Sequence, residues 1–446
     1  MMRGSLLVAA AVAAAASSSS SWLDGHKALV RGRTRGAWAA LLANYSAVQR
    51  AQRRRDDGRY VVAFADNYGL GNRVDTVVSS LALAMRTGRA LAVRWPRQDC
   101  SKHLGHNKPD CARAASELAR ENNLASRPNL PRDAADRASK PSRLSVSGDP
   151  TGIQDLFERN GLVDWSLPAD SRVRDAVRKC QEDVFRRPGR KGLKRWAISD
   201  PRDAKTAAGF RDVGADWRAK DPVLCAFGYY WWGWAPACGL AAPEPSPWAR
   251  FGALQDLLLT PVKAVADAVE SALGGEACDV GVHLRKADVE VGRRETRAQD
   301  KWVKRVRDAA AARRAATNAT PRVFVAADPQ SAKTKRLLRG AARSLGVAFL
   351  GGDGGAATRS TVDGIRDALA ENYVLASCAE LLPREVGSST FHDVAAARAA
   401  FERGWDADRV SAFVEGTKDR HPIFGPAFCA ALDGGDWGTK KGKKGA

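Results

Sequence analysis

Several motifs that settle a function class at sight are missing from this 446-residue chain. No G-x-x-x-x-G-K-[ST] loop occurs, which removes the commonest phosphate-cradling turn and weakens a sulfotransferase reading. None of the eight cysteines stands in C-x-x-C spacing, so zinc fingers and ribbons are excluded, and no RRM-type aromatic motif is present. Beyond the first 21 residues no apolar run approaches the ~20 residues of a membrane helix. Charge of one sign is also short: 50 Asp and Glu face 71 Lys and Arg, a formal net charge of +21. That imbalance suits an anionic partner.

The address narrows the partner. Met1 to Ala16 carries one early positive charge, an alanine-rich apolar run and small residues, so residues 1–21 are expected to be a signal peptide or a short signal-anchor. Secretory entry argues against nucleic acid and leaves nucleotide sugars, acidic glycans or anionic lipid surfaces. The Golgi lumen or a Golgi membrane-associated position is the expected location. An oxidising lumen gives the cysteines a use as disulfides. Cys100 with Cys111 and Cys225 with Cys238 are the close pairs, while eight cysteines allow 105 connectivities. Asn44-Tyr-Ser46 and Asn318-Ala-Thr320 are N-glycosylation sequons.

The length implies two domains. Residues 22–58 mix Arg clusters with Ala and Trp and suit a stem-like segment or a surface helix. Tyr60 to Trp95 reads as strand, helix, strand, the start of a parallel sheet. Residues 97–222 are polar and rich in Pro, Asp and Arg, an irregular insertion. The alternation returns from Ala277, with strands at Asp279–Leu284, Arg322–Ala327 and Val347–Leu350. The expected division is 59–265 for an N-terminal Rossmann-like domain, 266–430 for a C-terminal one and 431–446 for a basic tail, with the Pro-rich Ala241–Trp248 as a hinge. The block Cys225–Cys238 concentrates two Tyr and three Trp, rings that stack on sugar faces or fill a core.

Four stretches carry the chemistry. Gly69-Leu-Gly-Asn-Arg73 lies between a strand and a helix, where backbone N–H groups and the helix dipole can hold an anion. His283, Arg285, Lys286 and Asp288 stand at a strand's carboxyl end, the ligand-binding edge of open α/β sheets, and Arg grips phosphate bidentately. Ser388, Ser389 and Thr390 begin a helix and serve either as caps or as diphosphate donors. Asp328 follows another strand as turn former and cap, and Glu371 lies within a helical pattern. Asp406-Ala-Asp408 has the spacing of a metal-binding DxD, although aspartates before Arg409 equally suit a helix start.

In this order the glycine loop, His283-x-Arg-x-x-Asp288, Val323-Phe-Val-Ala-Ala-Asp328, and Glu371–Ser377 followed by Ser388-Ser-Thr-Phe391 resemble the GDP-fucose-dependent fucosyltransferases. The likeness is to the superfamily of core α1,6, nodulation and plant xyloglucan enzymes. His421-Pro-Ile-Phe-Gly-Pro-Ala-Phe-Cys429 is similar to a plant-type C-terminal segment. Residues 97–265 fall outside the resemblance.

The resemblance implies a GT-B fold of two facing Rossmann-like domains around a cleft. It also implies transfer of fucose from GDP-fucose to a glycan or glycoprotein acceptor, with no metal or other cofactor. Arg285 matches the arginine on the donor diphosphate, with Lys286 beside it and His283 near the nucleotide. Glu371 matches the carboxylate that reads guanine, and Asp328 falls in the same donor set. Ser388, Ser389 and Thr390 match phosphate-side donors, and Gly69, Gly71, Asn72 and Arg73 match the first-domain loop. Two departures stand out. Lys286 replaces a second arginine and loses the planar fork. The acceptor-activating glutamate falls one residue late, in Val291-Gly-Arg-Arg-Glu295, so Glu295 is the expected base with Glu290 and Asp288 as rivals. A catalytically inactive nucleotide- or glycan-binding protein, or a transferase using another nucleotide sugar, would carry the same pattern.

Overall fold

The computed structural model describes residues 21–65, 70–95, 151–159, 163–164, 172–175, 197–198, 222–227, 244, 246–284, 293–327, 332–351, 362–383, 389–406 and 409. Two four-stranded parallel sheets organise them. The first holds β1 (Tyr60–Phe64), β2 (Ala90–Arg94), β3 (Ala197–Ile198) and β4 (Val223–Phe227) in the order β2-β1-β4-β3. The second holds β5 (Val280–Leu284), β6 (Arg322–Ala327), β7 (Ala348–Phe349) and β8 (Glu380–Leu381) in the order β7-β6-β5-β8. The fold is mixed α/β, as the alternating pattern predicts. Parallel strands are covered on both faces, which is why β5 reads Val-Gly-Val-His-Leu and is buried throughout. β5 and β6 pair in register, with His283 opposite Ala326.

Besides a helical turn at 172–175, eleven helices among the described residues accompany the sheets. In chain order they are α1 (Trp22–Arg33), α2 (Ala37–Arg54), α3 (Leu70–Thr87), α4 (Thr151–Gln154), α5 (Pro247–Leu258), α6 (Lys263–Leu273), α7 (Arg293–Thr317), α8 (Ala332–Gly340), α9 (Ala342–Leu345), α10 (Val362–Ser377) and α11 (Thr390–Arg403). α3 makes the crossover between the parallel strands β1 and β2. α11 follows the second sheet in sequence yet packs along α5 and against α3, so the last described helix lies on elements of the first half. That approach is close because Ala395, Ala396, Ala397, Ala399 and Ala400 are all buried, and because Gly252 on α5 has no side chain where a methyl would run into the Ala397 carbonyl.

The segment read as stem-like folds from 22 to 54 into α1 and α2, both seated on the body. Trp22 stacks on His26 and meets the edge of Tyr373, and its backbone N–H donates to Glu270 Oε1 at 2.6 Å. Trp38 is fully buried and donates from Nε1 to Glu244. Tyr45 and Gln49 hydrogen-bond the backbone of Leu91, so α2 occupies the open edge of β2 with side-chain donors and acceptors. The Pro-rich segment read as a hinge contains the start of α5, where Ser246 accepts from the Ala249 N–H and Pro247 opens the helix.

Cys278 and Cys378 form a disulfide between the entry of β5 and the end of α10, closing a loop of 100 residues. A loop of that length restricts the unfolded chain by about 4–5 kcal/mol on chain-entropy bookkeeping. Spacing offered no hint of this pair. The close pairs it suggested, Cys100 with Cys111 and Cys225 with Cys238, involve residues outside the described set. Both sequon asparagines, Asn44 and Asn318, are exposed.

Candidate active site

At the start of α11, His283 and Ser389 lie close together, and α3 packs against the same helix. His283, fourth residue of β5, is buried and faces Phe391 at 5.0 Å and His392 at 6.1 Å between ring centroids. Two segments more than a hundred residues apart are thereby in ring contact. Ser389 occupies the N-cap position of α11 with extended backbone, is buried, and makes no cap bond with its side chain. The capping function that its residue type predicts is therefore not what its hydroxyl does, and the first N–H groups of α11 lie beside it.

α3 brings the glycine loop to the same helix. Gly71 and Arg73 are buried and Asn72 is half-buried in its first turn. The Arg73 guanidinium lies over the Trp95 ring, 5.6 Å from its centroid, at the end of β2. Asp75, one turn further, is near enough to Asp393 on α11 for the two carboxylates to repel. Burial first, and then the Asp393 charge, hold the Asp75 carboxyl well above the usual carboxylate range, against a hydrogen bond from Ser79. His392 Nε2 is 3.0 Å from Leu382 O, and because a carbonyl only accepts, that nitrogen carries a proton; Nδ1 then faces Asp393 Oδ1 at 3.8 Å.

A hydrogen-bonded chain ties α10 to the same spot. Asn372 donates from Nδ2 to Phe391 O at 2.7 Å and accepts from Arg398 Nη1 at 2.9 Å. Arg398, fully buried, donates from Nε to Asp256 Oδ1 on α5 at 2.7 Å and lies 3.6 Å from the Tyr373 ring centroid. The neighbour of Asn372 is Glu371, whose Oε1 is 3.6 Å from Lys335 Nζ on α8. The residue read as guanine-facing thus sits on a helix fixed to the start of α11.

Other predicted residues lie outside the described set. These are Gly69, Arg285, Lys286, Asp328 and Ser388, together with Asp288 and Glu290. Glu295 falls in the first turn of α7 and Thr390 opens α11, but only their backbones are described. Asp406 accepts from the Arg409 N–H at 2.8 Å, the capping contact expected of a helix start.

Asp75, His392, Asp393, Lys335 and the Asn372–Arg398 link were not singled out in the sequence. A signal existed for some of them: Asp75 is followed by Val77, Val78 and Leu81 and Asp393 by Val394 to Ala397, so each acid opens a stretch patterned for burial, where acids are rare without partners. His26, Asp256 and Glu402 offer ligand atoms within 4.8 Å of one another, a spacing compatible with a metal. Both acids already have partners, however. Arg398 holds Asp256, and His26 Nδ1 is 3.3 Å from Glu402 Oε1. Burial pushes Asp256 up to about 6 with Arg398 opposing, whereas Glu402, despite burial, is held low by its hydrogen bond with His26.

No protein-family model and no curated protein matches the sequence. Solved structures similar to the chain include a mutant of Arabidopsis thaliana FUT1 in complex with GDP, at 15% identity over 81% of this chain and 76% of that one, with a TM-score of 0.47. Another is the fucosyltransferase NodZ from Bradyrhizobium, at 17% identity over 76% of this chain and 91% of that one, with a TM-score of 0.42. At such scores and identities the chemistry of this chain has to be argued from its own residues.

Proposed function

We propose that this chain is a glycosyltransferase of GT-B type that moves fucose from GDP-fucose to a glycan hydroxyl with inversion at the anomeric carbon. The observation that carries the reading is the meeting, at the start of α11, of the strand end bearing His283, the hydroxyl-bearing turn of Ser389 and the first turns of α3. These are stretches on which the sequence resembles GDP-fucose-dependent enzymes, and their adjacency supports the reading.

In the proposed reaction the acceptor oxygen forms a bond to the anomeric carbon as the bond from that carbon to the β-phosphate oxygen breaks. The electron pair leaves with GDP, and the acceptor proton passes to a carboxylate, assigned to Glu295. Negative charge grows on the departing phosphate, so a fixed guanidinium at Arg285 stabilises the transition state more than the bound donor. Lys286, the N–H groups at the start of α11 and the hydroxyls of Ser388, Ser389 and Thr390 add to the same anion site. The loop of Gly69, Gly71, Asn72 and Arg73 lines the sugar side, and Asp328 lies beside the donor after β6. The Cys278–Cys378 bridge fits work in an oxidising lumen, in line with a Golgi setting.

The test is GDP release from GDP-fucose with and without a glycan panel. Arg285→Ala should cut turnover about 10²-fold or more while the protein stays folded. Equal turnover in the variant would refute the assignment. Lys286, which lacks the second guanidinium fork, favours one rival reading, a binding protein without turnover; GDP-fucose binding with no release on any acceptor would establish it.

A further inference from the structure

The sequon Asn318-Ala-Thr320 has no part in the function proposed above. α7 ends at Thr317, and the residues from 318 to 321 turn the chain back into β6. Both ends of that turn are held. The Asp279 carboxylate accepts from Arg313 Nε on α7 and from the Arg322 N–H at the start of β6, each at 2.8 Å. The Asn318 N–H donates to Arg314 O at 2.7 Å, and its φ of 54° is the only left-handed backbone of a non-glycine residue among those described. Asparagine tolerates that conformation, so the helix end accounts for the residue type. It does not account for the two side chains. Asn318, Ala319 and Thr320 are all exposed, and neither the Asn318 amide group nor the Thr320 hydroxyl has a hydrogen-bond partner among the described residues.

The other sequon is placed differently. Asn44 lies midway along α2, where Tyr45 is buried with its hydroxyl on Gln49 and the Leu91 N–H, and Ser46 Oγ accepts from Arg50 at 2.8 Å. Folding commits that triplet to helix and its hydroxyl to a neighbour. The Asn318 triplet keeps its amide, its hydroxyl and an irregular backbone in the open, as a sequon in a surface loop requires.

We propose that Asn318 is an N-glycosylation site. This rests on the secretory setting that accompanies the function proposed above. The co-reactant is an oligosaccharide carried on a lipid diphosphate. The Asn318 amide nitrogen forms a bond to the anomeric carbon of that oligosaccharide as the bond from the carbon to the diphosphate oxygen breaks. The electron pair leaves with the lipid diphosphate, and one amide proton passes to solvent. A glycan is bulky and solvated, so it needs a surface position whose side chain serves nothing else. β5 and β6 run parallel, which places the turn before β6 at the end of the sheet opposite to His283. A glycan there leaves the candidate site open.

The test expresses the full-length chain, with its own first 21 residues, in a eukaryotic secretory host and compares its mass before and after an endoglycosidase that removes N-glycans. Wild type should lose a discrete mass on digestion. Asn318→Gln and Thr320→Ala should each abolish that step, whereas Thr320→Ser and Asn44→Gln should keep it. Thr320→Ala retains Asn318 and its backbone, so a loss shared by both variants follows the sequon and not the helix end. Digestion unchanged in Asn318→Gln and Thr320→Ala, or secreted wild type that carries no glycan, overturns the inference and leaves the proposed function standing. A chain that never enters the secretory lumen overturns the secretory setting and the inference with it. Should Asn318→Gln not fold, Thr320→Ala against Thr320→Ser decides alone.

Discussion

Replacing Arg398 with methionine tests the buried link that fixes the start of α11. The guanidinium holds the Asp256 carboxylate at 2.7 Å and Asn372 Oδ1 at 2.9 Å, and it lies over Tyr373, with no water-exposed surface on either charged partner. Removing one member of a buried pair leaves the other charge uncompensated, at about 3–5 kcal/mol. The contact with Asn372 adds about 1 kcal/mol and the ring contact about as much again, though contributions within one network do not simply sum. Against a total stability of about 5–15 kcal/mol, the single variant should sit near the edge of unfolding. The sign with pH follows from Asp256, whose folded pKa near 6 already exceeds its ordinary value because of burial. Without Arg398 that pKa rises further, so both proteins lose stability alike between about pH 4 and 6, and the defect grows as pH rises past about 6, where only the wild-type carboxyl ionises in the folded state. Denaturant unfolding followed by tryptophan fluorescence at a series of pH values measures it. The double variant Arg398→Met with Asp256→Leu should recover most of the loss, since an apolar pair of similar volume replaces the ions. A single variant within 1 kcal/mol of wild type, or a double variant as unstable as the single, refutes the reasoning.

Gly252→Ala places a methyl against the Ala397 carbonyl and the Phe401 side chain, and the forced separation of α5 from α11 should cost about 1–3 kcal/mol in the same unfolding experiment. Asp75→Asn removes a group whose folded pKa is raised by burial and by Asp393, so the stability that Asp75 contributes is complete below the ordinary carboxylate range and is lost as pH rises through the folded value. The variant should therefore lose less stability than wild type between about pH 4 and neutrality, and a parallel pair of curves would show that Asp75 does not titrate as described.

Strand and helix periodicity made much of the fold legible before any coordinates. The runs Tyr60–Phe64, Ala90–Val93, Asp279–Leu284 and Arg322–Ala327 each appear as a parallel strand, because uninterrupted apolar runs of that length must be buried on both faces. The seating of α1 and α2 was not legible. Their Arg-rich composition suggests solvent, and only the spacing of Trp38, Tyr45 and Gln49 along one face marks the buried side. The disulfide was hidden because its cysteines are 100 residues apart and meet only through the β5–β8 pairing. At the site, a motif reports residue types but not their partners. Lys335, 36 residues before Glu371 in a basic stretch, looks like any solvated lysine until α8 and α10 are folded.

The placement of α11 gives the two halves a shared part. It is preceded by Ser389 as its N-cap, its first turn adjoins His283 of the second sheet, and its body lies on α5 and against α3, whose own first turn carries Gly71, Asn72 and Arg73. Any shift of α3 relative to the second sheet must therefore move along a helix whose middle is pinned by Arg398 to both α5 and α10. Because packed helices have few alternative arrangements, the separation between the first turn of α3 and the start of α11 is set by the core.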